Sequence, residues 1–286
     1  MRDDWAEDAL KRPSHSTFLF AALLACAALL TQACSFFRSE RACGSKPDLV
    51  VFVLYDLSGS VGKQRAEYEQ ESFRMLDSLY DLQQSRRLNY KPEFQGETLF
   101  AADLITANSL AFAQTPVHAC FPAFGLTSSF EKYKKQCRQS AEQARQEVSR
   151  VLARDDPSQQ TDIFNALLLA HKVLFSETAA TAKSKYLILF SDMVHETSTF
   201  NFTREPLTDA RIGTILGAEQ KAGRIPDLTG VKVWVAGAGG SSDARMTGPR
   251  LLWVQRFWLR YFQAAHADLS DARYAGTLID FHLPQP

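Results

Sequence analysis

The chain has no excess charge of either sign. Lys plus Arg equals Asp plus Glu at 32 each, a formal net charge of zero, which removes the basic footprint of a nucleic-acid binder. It has no internal repeat, coiled-coil heptad or long low-complexity tract, so repeat and fibrous architectures are excluded. Cysteine is scarce, with five in 286 residues, and its spacings match no Cys-rich zinc pattern. His118, His171, His266 and His282 form no i, i+4 pair, the spacing a helical zinc site needs. A Gly-x-Ser-x-Gly nucleophile elbow is absent. Gly59-Ser60-Val61-Gly62-Lys63 resembles a phosphate loop only in part, because Leu57 stands where the first glycine belongs and Gln64 where a Ser or Thr would follow the Lys. The glycines from Gly237 to Gly240 follow a strand but lead to Ser242 where a dinucleotide fingerprint has its third glycine, and they read as a strand-end loop.

What is present is enough apolar residue, 45% of 286, to bury one full core without disulfides. The first apolar run, TFLFAALLACAALL at residues 17–30, is preceded by Lys11 and Arg12 and followed by Thr31, Gln32, Ala33, Cys34 and Ser35. A positive flank, a short apolar stretch and a small-residue end make an export signal. Ala33-Cys34 resembles a bacterial lipobox, which makes Cys34 the lipidation candidate, although Thr31 replaces the usual Leu. Leu23-Leu24-Ala25-Cys26 fits the pattern better but leaves Cys26 inside the apolar run. An uncleaved anchor is the alternative, since no Asp, Glu, Lys or Arg occurs from Pro13 to Phe37 and about 30 Å of bilayer must be crossed; a plain cleaved signal is the third. All three deliver the rest of the chain to the extracytoplasmic side. The expected organisation is an anchor and linker over residues 1–45 and one domain over 46–286.

Export permits disulfides. The expected pair is Cys120 with Cys137, which bracket a Pro- and Phe-containing loop and the start of a charged helix. Two unpaired thiols are the alternative, and Cys43 is left over either way.

Beyond the anchor, DLVVFVLY at residues 48–55 reads as a strand buried on both faces, and residues 63–84 as a helix packed by one face. The unit recurs: a strand or strands in 99–112, helices at 130–153 and 161–175, a buried strand KYLILF at 185–190, a helix at 208–222, a strand at 230–236, an aromatic helix at 249–265 and a last strand at 277–283. Such alternation predicts an α/β fold, three-layer and doubly wound, with a mostly parallel central sheet. Trp253, Phe257, Trp258, Tyr261 and Phe262 of the aromatic helix are expected in the core.

In sheets of this kind the loops at the carboxyl ends of strands carry ligands. Asp56-Leu57-Ser58-Gly59-Ser60 follows the first strand and sets a carboxylate and two hydroxyls at alternate positions, where three oxygens can aim at one point. Hard cations such as Mg²⁺ take oxygen ligands. Thr161-Asp162-Ile163 opens a helix and Asp192 lies just past KYLILF, though singly Thr161 reads as a helix cap and Asp192 as a turn residue. Together the three loops resemble the von Willebrand factor A (VWA) and integrin I-domain family, whose metal-ion-dependent adhesion site (MIDAS) begins with Asp-x-Ser-x-Ser. The resemblance runs from about Leu49 to the end, including GVKVWVAGAG, and departs at Asp192-Met193, where many members have Asp-Gly.

The resemblance implies a bacterial, membrane-anchored domain holding Mg²⁺, with Mn²⁺ or Ca²⁺ as alternatives. Ser58, Ser60 and Thr161 would touch the ion directly, and Asp56 and Asp192 directly or through water. An open position would take an Asp or Glu carboxylate from a protein partner, so the expected role is binding and not catalysis. His195 and Glu196 are expected at the rim, tuning partner choice. An envelope scaffold with a purely structural metal is the second reading, and a hydrolase pairing His195 with Ser58 or Ser60 the third.

Overall fold

Eight consecutive buried residues, Leu49–Asp56, form β1 at the middle of the sheet. The structure is a computed structural model and describes residues 43, 46–85, 96–107, 109, 117–124, 129–154, 160–241, 243–279, 281 and 283. The other strands are β2 (Thr98–Ile105), β3 (Val117–Phe121), β4 (Ser184–Phe190), β5 (Val231–Ala236) and β6 (Tyr274–Ala275), in the order β3-β2-β1-β4-β5-β6. All neighbours pair in parallel except β3, which runs antiparallel to β2 at one edge.

The period of two along β1 divides its side chains between two layers. Leu49, Val51, Val53 and Tyr55 pack with α1 (Arg65–Ser85) and α2 (Phe130–Leu152). Val50, Phe52 and Leu54 pack with α3 (Ile163–Leu174), α4 (Asp209–Lys221) and α5 (Gly248–Ala264). Each large side chain fully buried this way contributes about 1.5–3 kcal/mol. Helices on both faces of a mostly parallel sheet make the three-layer α/β fold. On α5, Phe257, Trp258, Tyr261 and Phe262 are fully buried against Phe164 and Phe202, so the aromatic face of that helix is core.

Two strand expectations are corrected. The apolar stretch after residue 98 holds β2, but the chain returns antiparallel as β3 beyond residue 116, where His118 and Cys120 interrupt the apolar pattern of an edge strand. The last strand is the two-residue β6, and the described residues of 277–283 form none. Leu278, Phe281 and Leu283 instead cover the sheet face, with the Phe281 ring 5.4 Å from that of Trp234.

The cysteine pairing is also corrected. Cys120 is bonded to Cys43, with Cα atoms 5.4 Å apart, and Cys137 lies buried on α2, outside that disulfide. Val117, Ala119 and Phe121 of β3 face α1 and α2, so alternation turns Cys120 towards the opposite layer, where Cys43 lies. Among the described residues no helix is long and apolar enough to cross a membrane. The apolar segment at 17–30 and Cys34 lie outside the described residues.

Candidate metal centre

β1 and β4 are parallel neighbours in register, Tyr55 opposite Phe190, so the residues that leave their carboxyl ends emerge side by side. Asp56 is fully buried and Asp192 is 1% exposed. The Ser58 backbone N–H donates to Asp56 Oδ1 at 2.9 Å, which curls the chain into a 3₁₀ turn at Gly59–Gln64. That curl brings the Ser58 and Ser60 hydroxyls to 3.0 Å from each other. Arg65 holds the turn from outside by donating to the Leu57 carbonyl at 2.7 Å.

Ser191 joins the two acidic loops: its hydroxyl donates to Asp56 Oδ2 at 2.7 Å and accepts the Met193 N–H at 2.9 Å. Asp192 Oδ1 accepts the Val194 N–H at 2.9 Å, while its buried Oδ2 has no hydrogen-bond partner among the described residues. Thr161 is stapled to the same loop by a bridge with Glu196, N–H to O at 3.1 and 3.0 Å in the two directions. Its hydroxyl has no hydrogen-bond partner among the described residues, because the cap of α3 is Asp162, which accepts the Asn165 N–H at 3.1 Å. Thr161 therefore does not serve as the helix cap.

Burial pushes the Asp56 carboxyl up to about 7, and the nearby Asp192 charge adds to this against hydrogen bonds from Ser191 and Ser58. Asp192 is also raised, by burial first, with the Val194 N–H and the hydroxyls of Ser60 and Ser241 pulling the other way. Among the described residues no Lys, Arg or His forms an ion pair with either group. Two buried carboxyls, one with an orphaned oxygen, and the neighbouring Ser58 and Ser60 hydroxyls are all oxygen donors, the chemistry that a hard divalent cation takes. Thr161 joins them through the backbone of its loop. The group Cys43, Glu97 and Cys120 does not suit such an ion, since both sulfurs are joined in the disulfide.

No protein-family model matches the chain, and no curated protein does. Among solved structures, the open conformation of the pilus adhesin SpaC from Lactobacillus rhamnosus GG overlaps 80% of this chain and 28% of its own, at 14% identity and a TM-score of 0.43. Proximal thread matrix protein 1 from the mussel byssus, with a zinc-occupied MIDAS motif, overlaps 82% of this chain and 42% of its own, at 13% identity and a TM-score of 0.32. An aerotolerance-related membrane protein from Bacteroides fragilis overlaps 78% and 92%, at 13% identity and a TM-score of 0.29. The chain thus spans less than half the length of the adhesin and of the mussel protein.

Several residues that shape the centre carry no motif in the sequence. Gly237, at the end of β5, has φ 102°, and a Cβ there would lie 2.3 Å from the Tyr68 hydroxyl and 2.9 Å from the Ser191 carbonyl oxygen. Only glycine lets this fourth loop close over the first and third. Tyr68 donates to Gln64 Oε1 at 2.6 Å and packs its ring on Phe190 at 5.0 Å, beneath the carboxylates.

The rim expectation for His195 is corrected. His195 is 1% exposed, with its ring 4.3 Å from Phe164. Its Nδ1 accepts the Ile163 N–H at 3.3 Å, so Nε2 carries the proton towards Thr197 Oγ1 at 3.2 Å. Burial lowers its pKa to about 3, which keeps it neutral. Both ring nitrogens are engaged, and neither bonds Ser58 or Ser60, so the structure does not form the Ser/His pair of the hydrolase reading. Glu196 is half-buried and lines a cavity beside the centre.

Proposed function

We propose that this chain is a metal-ion-dependent protein-binding module of the VWA type, working in adhesion or assembly on the extracytoplasmic side of a bacterial membrane. The observation that carries the reading is the pairing of Asp56 with Asp192, two buried carboxyls with no ion-paired cation among the described residues, beside the hydroxyls of Ser58 and Ser60. These four residues and Thr161 would hold Mg²⁺, with Mn²⁺ or Ca²⁺ as alternatives. When bound, the ion supplies a Lewis-acidic position for an outside oxygen. Five side chains against about six positions for Mg²⁺ leave room for a guest ligand, which we assign to an Asp or Glu of a protein partner.

The chain's own part is to hold geometry and not to make or break a bond. Ser191 keeps the two acidic loops together, Arg65 fixes the serine turn, and the Thr161–Glu196 bridge sets the second loop against the third. The Cys43–Cys120 disulfide favours an oxidising compartment, in keeping with export by the N-terminal segment through lipidation at Cys34 or an uncleaved anchor.

The test is capture of a partner from membranes with Mg²⁺, then measurement of its affinity with Mg²⁺, with EDTA, and with its acidic contact residue changed to Ala. Affinity should fall in the last two conditions. Equal affinity in all three makes any metal structural and the adhesion reading wrong.

A further inference from the structure

Next to the three loops lies a polar cavity of about 340 Å³ whose lining includes Gln160, Glu196, Asn201, Thr203, Arg204 and Arg245. It adjoins the metal centre through the backbone: Gln160 precedes Thr161, and Glu196 is the residue that Thr161 pairs with.

The wall of this cavity is built in advance. Asn201 bridges Glu196, and its Oδ1 accepts the backbone N–H groups of Thr203 and Arg204, each at 3.0 Å. The Thr203 hydroxyl lies 2.6 Å from Glu196 Oε1 and 2.7 Å from Asn201 Oδ1. Arg250 of α5 donates to the Thr203 carbonyl at 2.9 Å and pins the segment to the core.

The charges in the cavity differ in how they are matched. Arg245 is neutralised by Asp243, with Nε 3.0 Å from both carboxylate oxygens. Glu196 accepts from the Thr203 hydroxyl and has no ion pair among the described residues, so an incoming acid must bind on the Arg204 side of the cavity, away from Glu196. The exposed Arg204 guanidinium has no ion pair or hydrogen bond to a described residue. An unmatched guanidinium in a polar cavity suits a carboxylate, which it can grip with two parallel N–H groups.

We propose that the cavity is a second anchoring site for the partner, taking an acidic side chain near in sequence to the one that reaches the metal loops, with Arg204 as its bonding group. The inference rests on the metal-dependent reading above. Once the first carboxylate is engaged, the second meets Arg204 at high effective concentration, so two acids at the right spacing bind more tightly than the sum of separate contacts.

The experiment uses the full chain with Mg²⁺ and end-blocked Gly/Ser heptapeptides that carry one Asp, or two Asp separated by zero to four residues. Affinities are measured by NMR titration in wild type, Arg204→Ala and Arg204→Lys. At least one two-Asp spacing should bind roughly tenfold or more tightly than the one-Asp peptide. The gain should vanish in Arg204→Ala, return in part in Arg204→Lys, and leave one-Asp binding unchanged in both. If no spacing gains, or if the gain survives Arg204→Ala, the inference is overturned. A chelator arm separates the two claims: one-Asp binding that ignores EDTA overturns the metal reading and this inference with it, whereas an EDTA-sensitive one-Asp peptide without an Arg204-dependent gain overturns this inference alone.

Discussion

Trp258 donates its indole N–H to the carbonyl of Met193 at 2.7 Å, and both residues are fully buried. Met193 has φ 63°, a left-handed conformation unfavourable for a non-glycine residue, and it follows Asp192 directly. The bond from α5 therefore helps to hold the backbone that aims the Asp192 carboxyl.

Trp258→Phe tests that dependence, since it keeps an aromatic ring in the core while removing the donor with the five-membered part of the indole. The Met193 carbonyl would be left buried without its partner, costing about 1–3 kcal/mol. The urea midpoint should fall accordingly, and Mg²⁺ affinity should weaken severalfold; an unchanged Mg²⁺ affinity would separate α5 from the centre.

The disulfide gives a second prediction. Peptide mapping without reduction should yield a Cys43–Cys120 cross-link that leaves Cys137 out. Cys43→Ser opens a loop of 77 residues and should lower stability by about 4.5 kcal/mol in the chain-entropy model, whereas Cys137→Ser leaves the cross-link in place. Recovery of a Cys120–Cys137 peptide would contradict the topology of β3.

Asp103 on β2 supplies a pH dependence outside the metal centre. Burial pushes its carboxyl up to about 7, with the Leu104 N–H and the Arg154 charge pulling the other way, and its Oδ2 has no hydrogen-bond partner among the described residues. Its folded pKa lies above the ordinary 3.8, so the unfolded chain loses this proton first as pH rises. The stability it contributes is complete below about pH 4 and is lost by about pH 7, a change of roughly 3 kcal/mol after allowance for its partial exposure. Urea titrations of wild type and Asp103→Asn between pH 4 and 8 should show a decline steeper in wild type by that amount, since the raised Asp56 and Asp192 carboxyls act in both; parallel curves would contradict it.

Strand positions were legible because DLVVFVLY and KYLILF are unbroken apolar runs, and only a strand covered on both faces needs one. The loops at their ends could therefore be found from sequence, and with them Asp56 and Asp192. The contribution of Ser191 was hidden, because a serine before an aspartate carries no signal until the register of β1 and β4 sets it against Asp56. His195 misled because a polar residue beside a strand-end loop reads as exposed, whereas the aromatic rings of Phe164 and Phe202 enclose it. The disulfide was beyond reach because it depends on which face of a short edge strand Cys120 occupies, and one residue of register decides that.

Whether Asp56 and Asp192 form one cation site is decided by calorimetric titration of Mg²⁺ into wild type, Asp56→Asn and Asp192→Asn, alongside thermal melts in EDTA. Wild type should bind one Mg²⁺ per chain and either variant none. Each variant should melt at or above wild type in EDTA, because each removes one of two mutually repelling buried carboxyls. Folded variants that bind Mg²⁺ as tightly as wild type would contradict the shared site.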